Sequence, residues 1–217
     1  MTVKKETQDL IASYWDERSA GFDEEHDTED LKLWAKELDQ LIGLNGAGCI
    51  LDVGTGTGFL AMLSAGLGYE TAGIDISKEM LAIAERKAKI RHLDIRYDQC
   101  PCEKIFYEND TFDAVINCRV MWTLPDPEAA VREWIRILKP GGKVISFMRM
   151  MDMSCGQISE IYGEEIDFPL RGGDRKDYTD VYERAGLKDI KVTELPEALS
   201  SSDMPHWTAF SGIKTKE

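Results

Sequence analysis

Long apolar runs are missing from this 217-residue chain. No stretch approaches the roughly eighteen residues needed to cross a bilayer, so no membrane partner is expected. Cysteine is scarce and odd in number, 5 in all, which excludes a disulfide framework as the natural reading and favours a reduced, cytoplasmic setting. Cationic residues are outnumbered, 26 Lys and Arg against 40 Asp and Glu, giving a net charge of −14. Such a surface repels phosphate backbones, so direct binding to nucleic acid is not expected. The opening segment is charged and mixed, without the apolar core of a signal peptide. Internal repeats and low-complexity tracts are also lacking. With only 3 histidines, general-base chemistry has few candidates: His26 lies in an acidic run and His92 in a charged stretch, while His206 precedes the last strand and could reach a pocket.

What is present is a core and an alternation. Hydrophobic residues make up 43% of the chain, enough to fold. A leading helix over Glu6 to Ala20 carries Ile11, Tyr14, Trp15 and Arg18, and the acidic run Asp23 to Asp30 reads as a solvated linker. Leu31, Trp34, Leu38, Leu41 and Ile42 recur at helical spacing. Short apolar strands then alternate with helices: Cys49 to Val53, Tyr69 to Asp75, Ile95 to Asp98, Phe112 to Asn117 and Lys143 to Phe147 as strands, with helices between, the clearest over Asp126 to Leu138 and stopped by Pro140-Gly-Gly142. Two closing strands, Ile190 to Glu194 and Trp207 to Ile213, have only a loop between them and should pair antiparallel at an edge. The expected fold class is α/β, a Rossmann-like seven-stranded mostly parallel sheet with an antiparallel edge strand and helices on both faces. The expected organisation is an N-terminal helical cap over residues 1–45, a cofactor-binding core over 46–148, and a substrate-side excursion with the C-terminal strands over 149–217.

Immediately after the first strand comes Leu51-Asp-Val-Gly-Thr-Gly-Thr-Gly58. A glycine-rich turn from strand to helix lets a ligand approach the backbone without interference from Cβ. A P-loop would need Gly-Lys-Ser/Thr, but Phe59 and Leu60 follow Gly58; the NAD fingerprint would need glycine where Phe59 stands. Asp52, just before the glycines, would repel a diphosphate and could hold an ammonium group. Asp75 lies about twenty residues past Gly54, where a carboxylate can accept hydrogen bonds from a ribose. A nucleoside with an amino-acid tail suits both acids.

At these residues the chain resembles the class I S-adenosylmethionine-dependent methyltransferases, in the small-molecule, type 11-like branch. The resemblance runs from about Tyr14 to the carboxyl end. It includes the glycine motif, Ile74-Asp-Ile-Ser77 followed by Met80, Thr111-Phe-Asp-Ala-Val-Ile-Asn117, Asp126-Pro-Glu128 and Leu138-Lys-Pro-Gly-Gly142. It implies that the cofactor S-adenosyl-L-methionine is held by Gly54, Thr55, Gly56 and Gly58. Asp52 would orient the loop and the ammonium, Asp75 would bind the ribose hydroxyls, and Ile76 would pack on adenine. The resemblance also places Asp98 and Gln99 at the adenine edge, Asn117 at the methionine end, and Tyr14 and Arg18 over the cofactor carboxylate. Between Asp98 and Phe112 the chain departs from the family's shorter leucine-proline-phenylalanine turn.

On the substrate side the candidates are Trp122, Arg119, Tyr162 and His206, with Arg171, Gly172 and Gly173 in the excursion where the family often sets specificity. No residue stands out as a required base. Cys100-Pro-Cys102 has no second cysteine pair at ligand spacing, so no metal is expected there. The implied activity is methyl transfer to a small-molecule acceptor. The alternatives are the catalytic subunit of a macromolecule methyltransferase with a protein partner, and an NAD-type oxidoreductase.

Overall fold

The computed structural model describes residues 5–24, 30–150, 166–200 and 205–216. Its elements in chain order are α1 (Lys5–Arg18), α2 (Leu31–Ile42), β1 (Cys49–Val53), α3 (Phe59–Gly66), β2 (Glu70–Asp75), α4 (Lys78–Ile90), β3 (Ile95–Gln99) and β4 (Phe112–Cys118). They continue with α5 (Pro127–Ile137), β5 (Leu138–Arg149), α6 (Arg175–Ala185), β6 (Lys188–Glu194) and β7 (Trp207–Ile213).

Local chemistry explains where the helices start. Asp30 accepts the amides of Lys32 and Leu33 at α2, the Ser77 hydroxyl accepts Met80 N–H at α4, and Asp126 accepts Ala129 N–H ahead of Pro127 at α5. Asp174 and Asp177 form a reciprocal capping box at α6. Gly43 and Gly186 end α2 and α6 in the left-handed region, with φ of 74° and 110°.

The seven strands form one sheet in the order β3-β2-β1-β4-β5-β7-β6. The pairs among β1 to β5 are parallel; β7 runs antiparallel to β6, as expected of the closing pair, and also to β5. The strand order reverses between β1 and β4, so a crevice opens at their carboxyl ends.

Alternation along the strands sends side chains to opposite faces. Ile50, Ile116, Ile145 and Phe147 pack with Trp34, Leu38 and Ile42 of α2 and Leu60 of α3. Leu51, Val53, Val115, Val144 and Phe210 pack with Val131, Trp134 and Ile137 of α5 and Val181 and Tyr182 of α6. At the centre of the first face, Trp34 makes edge-to-face contacts with Phe59, Phe147 and Trp207, at centroid distances of 5.3, 5.4 and 5.1 Å.

One expectation needs correction. Pro140-Gly-Gly142 does not separate α5 from its strand. Leu138 already pairs with Phe112, the register slips between Phe112 and Ala114, and the glycines form an irregular stretch inside β5. The ladder continues because partners beyond β4 accept and donate there: Gly141 N–H reaches the Lys214 carbonyl at 3.0 Å, and Lys214 N–H returns to the Gly142 carbonyl at 2.9 Å. Of the acidic run, residues 25–29 lie outside the described residues; at its two ends Asp30 caps α2 and Asp23 bonds to Thr57 and Lys87, as described below.

Replacing Trp34 with Ala should lower unfolding free energy by about 3–5 kcal/mol in urea denaturation, because a fully buried indole leaves a cavity among three aromatic neighbours. A loss below about 1 kcal/mol would mean that this face repacks easily.

Candidate functional site

The glycine turn is a constrained backbone. Gly54, Gly56 and Gly58 have φ of 63°, 55° and 88°, where L side chains are strained. Each glycine also has its own spatial reason. A Cβ on Gly54 would lie 2.5 Å from Val120 Cγ2, and one on Gly58 would lie 2.8 Å from the Tyr97 hydroxyl. A Cβ on Gly56 would meet only Phe22 Cε1, at 3.9 Å. Two glycines therefore let the loop seat against β4 and β3, and the third leaves its backbone open toward the crevice. That open cradle has room for a ligand lying on the chain, which fits the nucleoside-bearing cofactor considered from the sequence.

Two buried carboxylates hold the turn. Asp52 Oδ2 accepts the Thr55 hydroxyl at 2.7 Å and Ala61 N–H at 3.0 Å, fastening the loop to the first turn of α3. Asp75 Oδ2 accepts Gly56 N–H at 2.8 Å and its Oδ1 accepts Ser77 N–H at 2.9 Å, so one side chain ties the loop after β1 to the loop after β2. Burial pushes the Asp52 carboxyl up to about 7 and the Asp75 carboxyl up to about 6; nearby Asp75 adds to the first shift, and backbone N–H donors restrain the second. The local field is negative and poorly solvated. It suits an ammonium and disfavours phosphate.

A roof comes from the amino-terminal segment. Tyr14 and Trp15 of α1 meet edge to face at 5.1 Å, and Trp15 meets Phe22 at 6.2 Å. Tyr14 and Trp15 join Ile11, Ile76, Trp122, Ile166 and Phe168 in one apolar cluster above the crevice. Arg18 stacks over Tyr14 at 5.8 Å. Asp16 Oδ1 accepts the Ser77 hydroxyl at 2.6 Å and Glu79 N–H at 3.1 Å. Asp23 accepts the Thr57 hydroxyl at 2.6 Å and Lys87 Nζ at 2.8 and 2.9 Å. The pattern of the sequence did not show Asp16, Asp23, Thr57 or Lys87 as partners. Their only local signal was an acid on each side of a helix end, which is common on surfaces.

The remaining candidates separate. Asp98 is engaged on its own strand: Arg96 Nε lies 2.7 Å away, and the Tyr107 hydroxyl donates to it at 2.7 Å. Gln99 Nε2 donates to the Ile76 carbonyl at 3.0 Å, beside the second loop. Cys100 is buried and its thiol reaches the Lys104 carbonyl at 3.1 Å, while the Cys102 carbonyl accepts the Trp134 indole N–H at 3.1 Å. This segment thus wraps back onto α5. Asn117 points its amide at Ser146 (2.7 Å), whose hydroxyl meets the Tyr182 hydroxyl at 2.6 Å. Arg119 leaves β4 with φ of 63°, its N–H bonded to the Phe147 carbonyl at 3.0 Å, and this turn delivers Val120 to Gly54. Trp122 is half-buried between two apolar clusters. His206 is exposed at the approach to β7. Tyr162 lies outside the described residues.

A family model for a methyltransferase domain matches residues 51–146. The ubiquinone/menaquinone biosynthesis C-methyltransferase UbiE of Bdellovibrio bacteriovorus is 31% identical over 197 residues, covering 83% of this chain and 81% of that one. A ubiquinone biosynthesis O-methyltransferase of Pseudomonas entomophila is 32% identical over 138 residues, covering 63% of this chain but only 58% of the relative. Among solved structures, phosphoethanolamine N-methyltransferase 2 of Haemonchus contortus, in complex with S-adenosyl-L-methionine, shares the fold with a TM-score of 0.63 at 19% identity, over 84% of this chain and 52% of that one.

The chain belongs to the class I S-adenosylmethionine-dependent methyltransferases. It is an enzyme that takes S-adenosyl-L-methionine as methyl donor and a small molecule as acceptor. No helix among the described residues is long and apolar enough to cross a membrane.

Two measurements test the loop. Gly54→Ala should cost stability and cofactor affinity, and adding Val120→Ala should return the steric part while the strain of about 1–2 kcal/mol remains. Because the Asp52 carboxyl rises from 3.8 to about 7 on folding, the native state holds a proton that the unfolded chain releases. Stability contributed by this group is therefore greatest below about pH 4 and is lost as pH rises toward 7. Urea titrations of the cofactor-free protein across that window should give a flatter pH profile for Asp52→Asn. An unchanged profile would show that Asp52 is ionised throughout.

Proposed function

We propose that the cofactor lies along the open backbone at Gly54 to Gly58, with its sugar at Asp75 and its adenine against Ile76 and Gln99. What supports this reading is Asp75: it is buried at the mouth of β2, held by one amide on each oxygen, and retains lone pairs that can accept two vicinal hydroxyls. In the same reading Asp52 holds the tail ammonium, with Thr55 fixing its orientation. Tyr14 and Arg18 cover the tail carboxylate, and Asn117 borders the methionine end. Asp98, occupied by Arg96 and Tyr107, stiffens the adenine wall rather than reading the base directly.

The bound cofactor supplies a sulfonium-activated methyl group and a thioether leaving group. The chain supplies position and dryness. The aromatic roof of Tyr14, Trp15, Phe22 and Phe168 excludes water from the reacting centre, and Trp122 and Arg119 border the acceptor's approach. Alignment of this kind is worth on the order of 7–11 kcal/mol where geometry is favourable. The acceptor class we assign is a small phenolic ring, after the quinone-biosynthesis relatives and in keeping with the aromatic lining; Tyr162 and His206 remain acceptor-side candidates. We assign a cytoplasmic enzyme without a nucleic-acid partner, supported by free cysteines at positions 49, 100, 102 and 118 and by the net charge of −14.

Calorimetric titration with S-adenosylhomocysteine tests the assignment. Asp75→Ala should weaken binding by at least about tenfold, since hydrogen bonds to a charged group contribute about 1.5–3 kcal/mol. An unchanged dissociation constant contradicts the ribose role.

A further inference from the structure

The glycine turn is held by the amino-terminal segment as well as by Asp52 and Asp75. Phe22 and Asp23 lie against its middle. A Cβ placed on Gly56 would come 3.9 Å from Phe22 Cε1, and the neighbouring Thr57 donates its hydroxyl to Asp23 Oδ1 at 2.6 Å. Lys87 of α4 donates to both Asp23 oxygens, at 2.9 and 2.8 Å, and reaches the Thr57 hydroxyl oxygen at 3.3 Å. One ion pair therefore closes a triangle between the amino-terminal segment, the loop after β1 and the helix after β2.

Burial gives the triangle its leverage. Thr57 is 2% exposed, so little solvent is at hand to replace Asp23 as its acceptor. Gly56, one residue earlier, supplies the amide that Asp75 fixes. Shifting the turn off Asp75 carries Thr57 away from Asp23. Lifting Asp23, in turn, takes the acceptor from a buried hydroxyl and from a Lys87 side chain only 23% exposed. The shape of the turn and the docking of the segment thus share one set of hydrogen bonds, and equilibria linked in this way are coupled in both directions. The two ends of the segment differ in kind. Asp16 accepts from the Ser77 hydroxyl and Glu79 N–H, whereas the Asp23 end is an ion pair whose carboxylate side chain is 48% exposed and open to screening by salt.

We propose that Asp23 and Lys87 are positioning residues for the methyl donor. Acting through Thr57, they hold the glycine turn in its ligand-ready shape and latch the aromatic roof over it, so that opening this latch lets the spent donor leave. The proposal rests on the placement of the cofactor along Gly54 to Gly58.

The test measures the dissociation rate of S-adenosylhomocysteine from the full chain by stopped-flow chase. Asp23→Asn and Lys87→Met should each raise that rate about fivefold or more, within the range of a hydrogen bond to a charged group. The double variant should be no faster than the quicker single one, because both substitutions remove one interaction. Raising salt from about 0.1 to about 1 M shortens the Debye length from about 10 to about 3 Å and should speed release from the unaltered protein more than from Lys87→Met. Lys87→Arg should retain most of the slow release, and circular dichroism melting confirms that each variant folds. A role confined to stability would lower the melting temperature and leave the release rate and its salt response unchanged. That result overturns the proposal, as do additive effects of the two substitutions. Failure of the unaltered protein to bind S-adenosylhomocysteine would instead refute the cofactor placement. Hydrogen exchange over residues 12–22 of the cofactor-free protein then decides the latch: faster exchange in Lys87→Met supports it, and equal rates overturn it.

Discussion

The hydrogen bond from Gly56 N–H to Asp75 is the constraint on which the crevice depends. It joins the loop after β1 to the loop after β2 at the carboxyl ends of two adjacent parallel strands, and the same carboxylate holds Ser77 N–H at the start of α4. A carboxylate used in this way must be buried, and burial raises its pKa. The arrangement therefore stores an electrostatic cost that a hydroxyl-rich, cationic ligand relieves. Asp52 repeats the logic on the other side of the loop, anchoring Thr55 and the first turn of α3.

The amino-terminal segment depends on these same loops. Asp16 reaches Ser77 and Glu79 at the second loop, and Asp23 reaches Thr57 in the first. Lys87 of α4 completes the second attachment. Between those two polar anchors the aromatic side chains lie over Ile76 and Trp122. An apolar roof by itself would be free to slide; acids at both ends fix its register above the crevice.

The crevice is polarised along the sheet. Carboxylates sit by β1 and β2, and guanidiniums by β4 and β5, with the apolar roof between them. Family membership defines the donor chemistry, but the cations at the far end belong to this chain's own side chains.

Strands, helices and glycine turn were legible because each rests on local rules. Cys49–Val53 and Trp207–Ile213 follow from apolar runs, α5 from its Asp-Pro start and apolar stripe, and the strand-to-helix turn from glycines at alternate positions. Asp52 and Asp75 could be singled out because acids inside or ending a buried strand conflict with burial. What the sequence could not express were partners far apart along the chain. Asp98 looks available until Arg96 and Tyr107 occupy it, Pro140 to Gly142 look like a break until Lys214 pairs with them, and Asp23 looks solvated until Lys87 and Thr57 arrive. Arg149 is one basic residue at a strand end until antiparallel pairing sets it on Trp207 beside Arg119. Periodicity and turn chemistry are properties of neighbours in sequence, so the chain alone determined the elements and the glycine turn. Which side chains meet across strands depends on register and packing, so only the tertiary structure decided the roof, the engaged acid and the cationic end.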